Sequence, residues 1–267
     1  KKDLIRDKKL VRRTLPQFTS FKGIAHNYTR QFLFAMKADI IAADAIRLFK
    51  DNIKPVIAFE HTMGAFLTAK VLSNDLTVGK KLNLDYRDVL TTAIDNSRTI
   101  TLKIRNSEKK ERVLLPVSML PEGLRVKYKE MYAAIRRIPL QSVPVFPIDF
   151  IKSKMQDAGI KVGEITGRSH IVVYDKKGNM TLKNRPAAEL RNKRATVDMF
   201  NDKRLDSLMI NATGSTGLSA HASEMFVNID GSKQQQRHMI VAQAASDINT
   251  LMQSLGRINR TGQIVNP

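Results

Sequence analysis

The sequence predicts an α/β protein with a mostly parallel sheet and helices on both of its faces. Short apolar runs of strand character alternate with longer segments whose apolar residues recur at helical spacing. Hydrophobic residues make up 42% of the 267 residues, so a sizeable packed core is expected. In the middle of the chain polar, basic and helical pieces interrupt this alternation, which predicts a largely helical insertion.

The first elements follow a basic, irregular segment. A long helix is predicted from Tyr28 to Asn52, because its apolar residues recur at helical spacing. The run from Val56 to Phe59 is short and entirely apolar, which is typical of a buried parallel strand. A loop at residues 60–64 follows, and then a helix is expected from Ala65 to Leu72.

Three parts of the chain are expected on this basis. Residues 1–53 form an N-terminal basic segment and helix, and residues 74–139 form the insertion or subdomain. The run Pro139 to Pro147 contains three prolines and suits a linker that returns to the main fold. Residues 54–73 and 140–267 are therefore expected to form one lobe.

Alternation of strands and helices resumes after the linker. A hairpin is predicted from Ile171 to Leu182, with turn-forming residues at its tip. Ser246 and Asp247 are a suitable N-cap pair for the last helix. The other predictions are helices over 150–158, 191–201 and 248–256, and strands over 161–165, 206–210, 225–230 and 238–241.

The charge balance concerns partners rather than fold. The chain has 45 Lys and Arg against 25 Asp and Glu, a formal net charge of +20. Such an excess favours a polyanionic partner, of which nucleic acid is the most plausible. The alternative is a basic fragment whose charge an acidic neighbour balances in a larger protein, and the chain ends at Lys1 and Pro267 suit a fragment.

Composition also excludes several classes of site. The chain has no cysteine, which excludes disulfides, thiolate zinc sites and a cysteine nucleophile. That composition fits an intracellular setting, cytoplasmic or nuclear, with a phage or bacterial context also open. No apolar run reaches membrane-spanning length and no signal peptide is recognisable, so no membrane partner is expected.

Three segments are candidates for chemistry, because ligands of open α/β sheets bind outside the carboxyl ends of strands. The first is the loop at 60–64. The second, at 211–221, interleaves hydroxyl residues with glycines, so its backbone can approach phosphates closely. The third, at 253–263, carries Arg257 and Arg260 on one helix face, and their guanidinium groups match phosphate oxygens. Taken singly, each also fits a structural role: a packing histidine, a tight turn and a solvated arginine pair.

Residues 56–66, 211–221 and 253–263 resemble motifs IV, V and VI of the superfamily-two helicases and translocases. The last is similar to Gln-x-x-Gly-Arg-x-x-Arg-x-Gln, with Gly262 inserted before the final glutamine as in the chromatin-remodelling branch. The spacing from Arg237 to that glutamine most resembles the strawberry notch group and its phage and plasmid relatives. The resemblance covers roughly residues 54–72 and 145–265, and it implies a second RecA-like lobe.

The resemblance also implies roles for particular residues. Arg257 and Arg260 would be catalytic arginine fingers that contact ATP phosphates. Gln253, Gly256 and Gly217 would shape the nucleotide-binding surface. The residues that would face nucleic acid are His61, Thr62, Thr213, Gly214, Ser215, Thr216 and His221.

The sequence lacks a Gly-x-x-x-x-Gly-Lys-[Ser/Thr] phosphate loop and an Asp-Glu-x-His type metal motif. ATP and Mg²⁺ are therefore expected to be held mainly by a first RecA-like lobe in cis, and no metal ligand is assigned to this chain. The chain by itself is expected to be inactive as an ATPase. DNA is favoured over RNA through the resemblance alone.

Two other functions stay open. One is a non-catalytic basic module of RecA-like shape that binds nucleic acid or a protein. The other, ranked below it, is a nucleotide-binding enzyme of another α/β class, since neither Gly-x-Gly-x-x-Gly nor the phosphate loop is present.

Overall fold

The computed structural model of the chain describes residues 16–18, 21–103, 110–211, 217, 219–223, 226, 228–245 and 247–259. The described residues fall into two compact units, one within 1–32 and 84–145 and the other within 33–83 and 146–267. The boundary between residues 32 and 33 falls inside the first helix. Each unit is described separately below.

The elements are numbered along the chain. The strands are β1 (Pro16–Phe18), β2 (Lys54–Phe59), β3 (Lys81–Leu82), β4 (Thr99–Lys103), β5 (Lys110–Leu114), β6 (Val162–Ile165), β7 (His170–Tyr174), β8 (Met180–Asn184), β9 (Ser207–Asn211) and β10 (Arg237–Val241). The helices are α1 (Phe21–Lys50), α2 (Gly64–Leu72), α3 (Tyr86–Ser97), α4 (Glu122–Arg137), α5 (Pro147–Asp157), α6 (Ala187–Arg191), α7 (Lys193–Asn201) and α8 (Ile248–Leu255). A short 3₁₀ turn covers Val117–Met119.

The larger unit is built on a parallel sheet of four strands in the order β10-β2-β9-β6. Every residue of β2, β6 and β9 is buried, which is why these strands read as nearly continuous apolar runs. The predicted strands at 56–59, 161–165, 206–210 and 238–241 are therefore confirmed, with ends shifted by one or two residues.

Helices cover both faces of this sheet. One face packs on α1 and α5, through residues such as Phe34, Ala38 and Ile151. The other face packs on α7, through Val197 and Phe200, and on Ile258 beyond α8. The predicted α/β architecture is thus confirmed, because apolar residues of α1, α5 and α7 are buried against the sheet.

An antiparallel sheet of three strands, in the order β3-β8-β7, belongs to the same unit. It contains the predicted hairpin. The hairpin turn is tight because the Asp175 carboxylate accepts hydrogen bonds from the backbone N–H groups of Lys177 and Asn179, at 2.9 and 2.8 Å. Gly178 has a positive φ of 80° in this turn, a conformation that favours glycine.

Two predictions for this unit differ from the structure. The strand expected over 225–230 is wrong for its described residues, which form a turn: Gly231 (φ 71°) donates its N–H to Asn228 O at 2.9 Å, and Asp230 accepts from Ser232 N at 3.0 Å. The helix expected over 191–201 is interrupted at Asn192, whose side chain caps α7 by accepting from Ala195 N at 3.0 Å.

The smaller unit contains α3, α4 and an antiparallel sheet in the order β1-β4-β5. A capping box starts α3. The Asp85 side chain accepts from the backbone N–H of Asp88, and the Asp88 side chain accepts from the backbone N–H of Asp85. The hairpin of β4 and β5 was not predicted, because its many charged residues hide the alternation that identifies a strand.

The longest helix, α1, has 30 residues and charged side chains along its length, including Lys37, Asp39 and Asp44. Among the described residues no helix combines the length and the apolar character needed to cross a membrane.

Candidate functional site

The candidate site lies at the carboxyl edge of the parallel sheet in the larger unit. The loop after β2, the segment after β9 and helix α8 after β10 all begin at this edge. Between them is a cavity of about 20 Å³, which has room for about one water molecule. Its lining residues are Ala58, Phe59, Glu60, Ile210, Asn211, Val241, Gln243, Ala245, Leu251 and Ser254.

Gln243 anchors the loop after β2. Its side-chain oxygen accepts hydrogen bonds from the backbone N–H groups of Glu60, at 3.1 Å, and His61, at 2.9 Å. Gln243 itself is buried just beyond β10, where Ala242 N donates to Ala58 O at 2.8 Å. One glutamine therefore ties the loop after β2 to the segment that leads into α8.

The same loop ends in a tight turn before α2. Met63 adopts a left-handed conformation with φ of 55°, and Gly64 N donates to the Thr62 hydroxyl at 3.2 Å. A Cβ atom on Gly64 would lie 2.8 Å from the Cβ of Arg168, closer than real Cβ contacts. A glycine is therefore required at this position, and it brings the loop against the segment after β6. His61 and Thr62 are both half-buried.

Arg168 belongs to a buried network of charged residues beneath the loop. Its guanidinium donates to both oxygens of Asp149, at 2.7 and 2.6 Å, and to both oxygens of Glu164, at 2.7 and 2.8 Å. Arg185 donates to the Thr166 hydroxyl at 3.0 Å, and that hydroxyl donates to Glu164 at 2.6 Å. Removing one partner from such a buried pair typically costs about 3–5 kcal/mol.

Electrostatics keep Glu164 ionised, whereas burial raises the pKa of the Asp149 carboxyl. Burial alone would raise the pKa of the Glu164 carboxyl, but the guanidinium groups of Arg168 and Arg185 and the ammonium of Lys152 hold that pKa below its usual range. Sequence reasoning missed the network and Gln243. The charged network could have been predicted from the glutamate inside the otherwise apolar run of β6, since a buried carboxylate requires a partner.

The segment after β9 is only partly described. Thr213, Gly214, Ser215 and Thr216, four of the predicted nucleic-acid contacts, lie outside the described residues. Gly217 is exposed and has a positive φ of 76°.

His221 is fixed by its neighbours in this segment. The Ser219 hydroxyl lies 2.6 Å from His221 Nδ1, and the His221 ring meets the Phe226 ring edge-on at 5.9 Å. The Asn201 side chain also donates to Ser219 O, at 3.3 Å. His221 is therefore half-buried and held from two sides.

Helix α8 carries Gln253 but ends at Leu255, so Arg257 lies two residues beyond the helix and not on the predicted helix face. Asp247 starts it by accepting a hydrogen bond from Thr250 N at 2.8 Å, as the predicted N-cap requires. Gln253 is exposed one turn before Arg257, which is half-buried and whose carbonyl accepts from Ala220 N at 2.9 Å. This bond joins the segment after β9 to the end of α8. Arg260 lies outside the described residues.

Gly256 closes α8 and differs from the other glycines of the site. Its φ is −63°, an ordinary helical value, and its N–H donates to Met252 O at 2.9 Å. A Cβ at this position would approach Met252 O at 3.4 Å. Backbone conformation therefore does not by itself require glycine here.

Comparison with known protein families gives a match to the later part of the chain. Residues 149–267 match a helicase family described as the C-terminal domain on Strawberry notch homologue. The resemblance predicted from motifs V and VI is thereby confirmed for these residues, and with the parallel sheet it identifies an α/β fold of RecA-like type. No curated protein and no solved structure matches the chain. The helicase match supports a helicase-related role.

Proposed function

We propose that this chain is the second RecA-like lobe of an ATP-dependent DNA helicase or translocase. The match of residues 149–267 to the C-terminal domain of Strawberry notch homologues supports this proposal. The proposed lobe comprises residues 54–73 and 140–267. The later part of α1 belongs with it, because Phe34 and Ala38 pack in the core of the sheet. Most of residues 74–139 are then an insertion, whereas β3 pairs with β8 and lies with the lobe.

The observation that carries the proposal is the position of Arg257 two residues beyond α8, a helix whose Leu251 and Ser254 line the cavity at the carboxyl edge of the parallel sheet. Ligands bind at this edge in open α/β sheets. Arg257 and Arg260 would donate hydrogen bonds to phosphate oxygens and stabilise the negative charge that develops during transfer. The bond from Ala220 to the Arg257 carbonyl would hold the backbone for this task.

The residues at this edge of the sheet could contact only one side of a bound nucleotide. Gln253 is exposed and Arg257 is half-buried, so both can contribute donors to a phosphate chain. The cavity of about 20 Å³ is far too small to enclose a nucleotide. ATP with Mg²⁺ would supply the phosphoanhydride bond, and a first lobe would hold most of that ligand. Gly217 and Gly256, which have no side chain, would allow the nucleotide to approach the backbone of this lobe closely.

The proposed nucleic-acid side uses the loop after β2 and the segment after β9. His61 and Thr62 would face the phosphate backbone, together with His221 and the intervening Thr213 to Thr216. Contacts to phosphates do not read sequence, which suits a protein that moves along a strand. Gln243 would connect this side to α8, because it binds the loop and precedes the helix.

The test is DNA-stimulated ATP hydrolysis by the intact protein. Arg257→Ala is expected to lower turnover by about 10³-fold or more, the effect of arginine fingers elsewhere. Arg204→Ala is the matched control, because Arg204 is exposed before β9, at the opposite edge of the sheet, where it pairs with Asp202. Near-normal turnover of the Arg257 variant would contradict the assignment of Arg257 as an arginine finger. An intact protein with no such ATPase at all would instead favour the non-catalytic basic module, which the net charge of +20 also suits.

A further inference from the structure

One side of α4, in the smaller unit, carries three cations and a tyrosine. Arg125, Lys129, Tyr132 and Arg136 are spaced by four, three and four residues, which places them on one side of the helix. We call these four residues the basic stripe. Lys129 and Arg136 are exposed, and Arg125 and Tyr132 are half-buried.

The positive charge of the basic stripe is not neutralised within the described part of the chain, where no carboxylate forms an ion pair with its three cations. The acidic residues of the neighbouring helix α3 have other partners. Asp85 pairs with Arg87, and Asp95 pairs with Arg98 at 2.6 Å. With respect to the described residues, the stripe therefore presents a positive surface without ion-pair partners, which favours an anionic partner.

A ladder of contacting arginine and tyrosine side chains, with the two tyrosine rings tilted at 34°, orients the exposed end of the stripe. The Arg98 guanidinium lies 4.9 Å from the centre of the Tyr128 ring, and the rings of Tyr128 and Tyr132 are 5.8 Å apart. The Arg136 guanidinium lies 5.3 Å from the Tyr132 ring centre. The Tyr128 hydroxyl donates to Asp95 at 2.6 Å, which fixes the ladder on α3.

Stacking of this kind prepares Arg136 to bind phosphate. A guanidinium over an aromatic face keeps the N–H donors at its edge available, and its geometry is fixed before the ligand arrives. The end of α4 is also held, because Arg87 donates to the Arg136 carbonyl at 3.3 Å. Less side-chain entropy is then lost on binding than for a free surface arginine.

We propose that the basic stripe binds the phosphate backbone of a nucleic acid strand, which gives the insertion a contact surface of its own. The stripe extends about 16 Å along the helix axis, and one strand rises about 3.4 Å per nucleotide, so several phosphates come within reach. This contact goes beyond the proposed function and requires neither ATP nor Arg257.

The test compares two pairs of substitutions on the same helix. The K129Q/R136Q variant removes two stripe cations, and the control K127Q/R137Q removes two exposed cations of α4 outside the stripe. Both lose the same charge. Affinity of the chain for a labelled duplex and for a labelled single strand of the same sequence is measured over a range of salt concentrations without nucleotide.

K129Q/R136Q is expected to weaken binding of at least one of the two probes by about tenfold at moderate salt, and to flatten the slope of log affinity against log salt by about 1.4–1.8, the value for two lost phosphate contacts. The control pair should change both quantities much less. Equal effects of the two pairs, or no effect of either, would overturn the proposal.

A third variant tests how much the ladder contributes to binding affinity apart from the positive charge. Tyr132→Leu keeps every cation and is expected to weaken binding by about threefold with little change in the salt slope, because it removes orientation rather than a phosphate contact. Circular dichroism and thermal unfolding verify that all variants are folded. Unchanged affinity of the Tyr132 variant would show that the ladder does not prepare Arg136 for binding.

Discussion

Lys54 and Arg237 are neighbouring cations at the amino edge of the parallel sheet, where β2 and β10 begin side by side. Both are almost completely buried and both lie over the Phe200 ring, with Lys54 Nζ at 4.4 Å and the Arg237 guanidinium carbon at 5.0 Å. Arg237 donates to Asn201 and Gln234, at 2.8 and 2.7 Å, and neither cation has a carboxylate partner among the described residues. Burial, followed by the charge of Arg237, lowers the pKa of Lys54 to about 7.

This depressed pKa predicts a dependence of stability on pH. The unfolded chain, in which lysine has its usual pKa of about 10.4, binds the Lys54 proton more tightly than the folded chain does. Unfolding free energy of the wild type, relative to Lys54→Met, should therefore rise as pH increases from about 7 toward 10, by at most about 1.4 kcal/mol per pH unit. Urea unfolding across this range measures it. Lys50→Met, at an exposed lysine, should show no such trend, and parallel curves for wild type and Lys54→Met would contradict the prediction.

At the scale of elements, α8 and the loop after β2 are connected through the segment beyond β10. Gln243 accepts from the N–H groups of Glu60 and His61, while Asp247, four residues later, caps α8. The carbonyl of Arg257 then receives a hydrogen bond from Ala220. Movement of α8 would therefore be transmitted to both segments that are proposed to face nucleic acid.

Gln243→Ala should weaken this connection. It leaves two backbone N–H groups without their acceptor, so we expect a loss of about 1–3 kcal/mol in unfolding free energy and weaker binding to DNA. Urea unfolding and a fluorescence binding assay measure the two effects. Gln156→Ala, at an exposed position on α5, serves as the control and should change neither. A Gln243 variant with wild-type stability and affinity would show that the connection is dispensable.

At the scale of the whole molecule, a strong positive charge accompanies the surface proposed to contact a nucleotide. The net charge of +20 and the helicase match of residues 149–267 both suit a nucleic-acid partner. No phosphate loop occurs in the sequence, and the cavity at the carboxyl edge of the sheet is only about 20 Å³. We therefore propose that hydrolysis requires residues from another lobe.

The chain by itself should bind DNA and hydrolyse no ATP. Binding should weaken steeply with salt, because phosphate contacts release counterions. Phosphate release, measured with and without DNA, should stay at the level of buffer alone. Turnover by the isolated chain that Arg257→Ala abolishes would show instead that it contains a complete site.

Sequence patterns predicted individual helices and strands well, but they did not predict which distant residues contact each other. The apolar run from Val56 to Phe59 identified a buried strand, and Asp247 identified the start of α8. The strand expected over 225–230 was wrong for its described residues, since Asn228 and Gly231 form a turn that apolar neighbours concealed. The roles proposed for the predicted site residues stay predictions, and those of 213–216 and Arg260 concern residues outside the described ranges.

The sequence by itself determined the α/β class, the order of most helices and strands, the positive charge and the helicase-like arginine segment. These features depend on residues close together along the chain, whose periodicity and capping are set locally. Only the tertiary structure decided that β2 lies between β9 and β10, that Gln243 binds a backbone N–H 183 positions away, and that Lys54 and Arg237 share the Phe200 ring. Such contacts join distant segments through packing, which leaves no pattern in either segment alone.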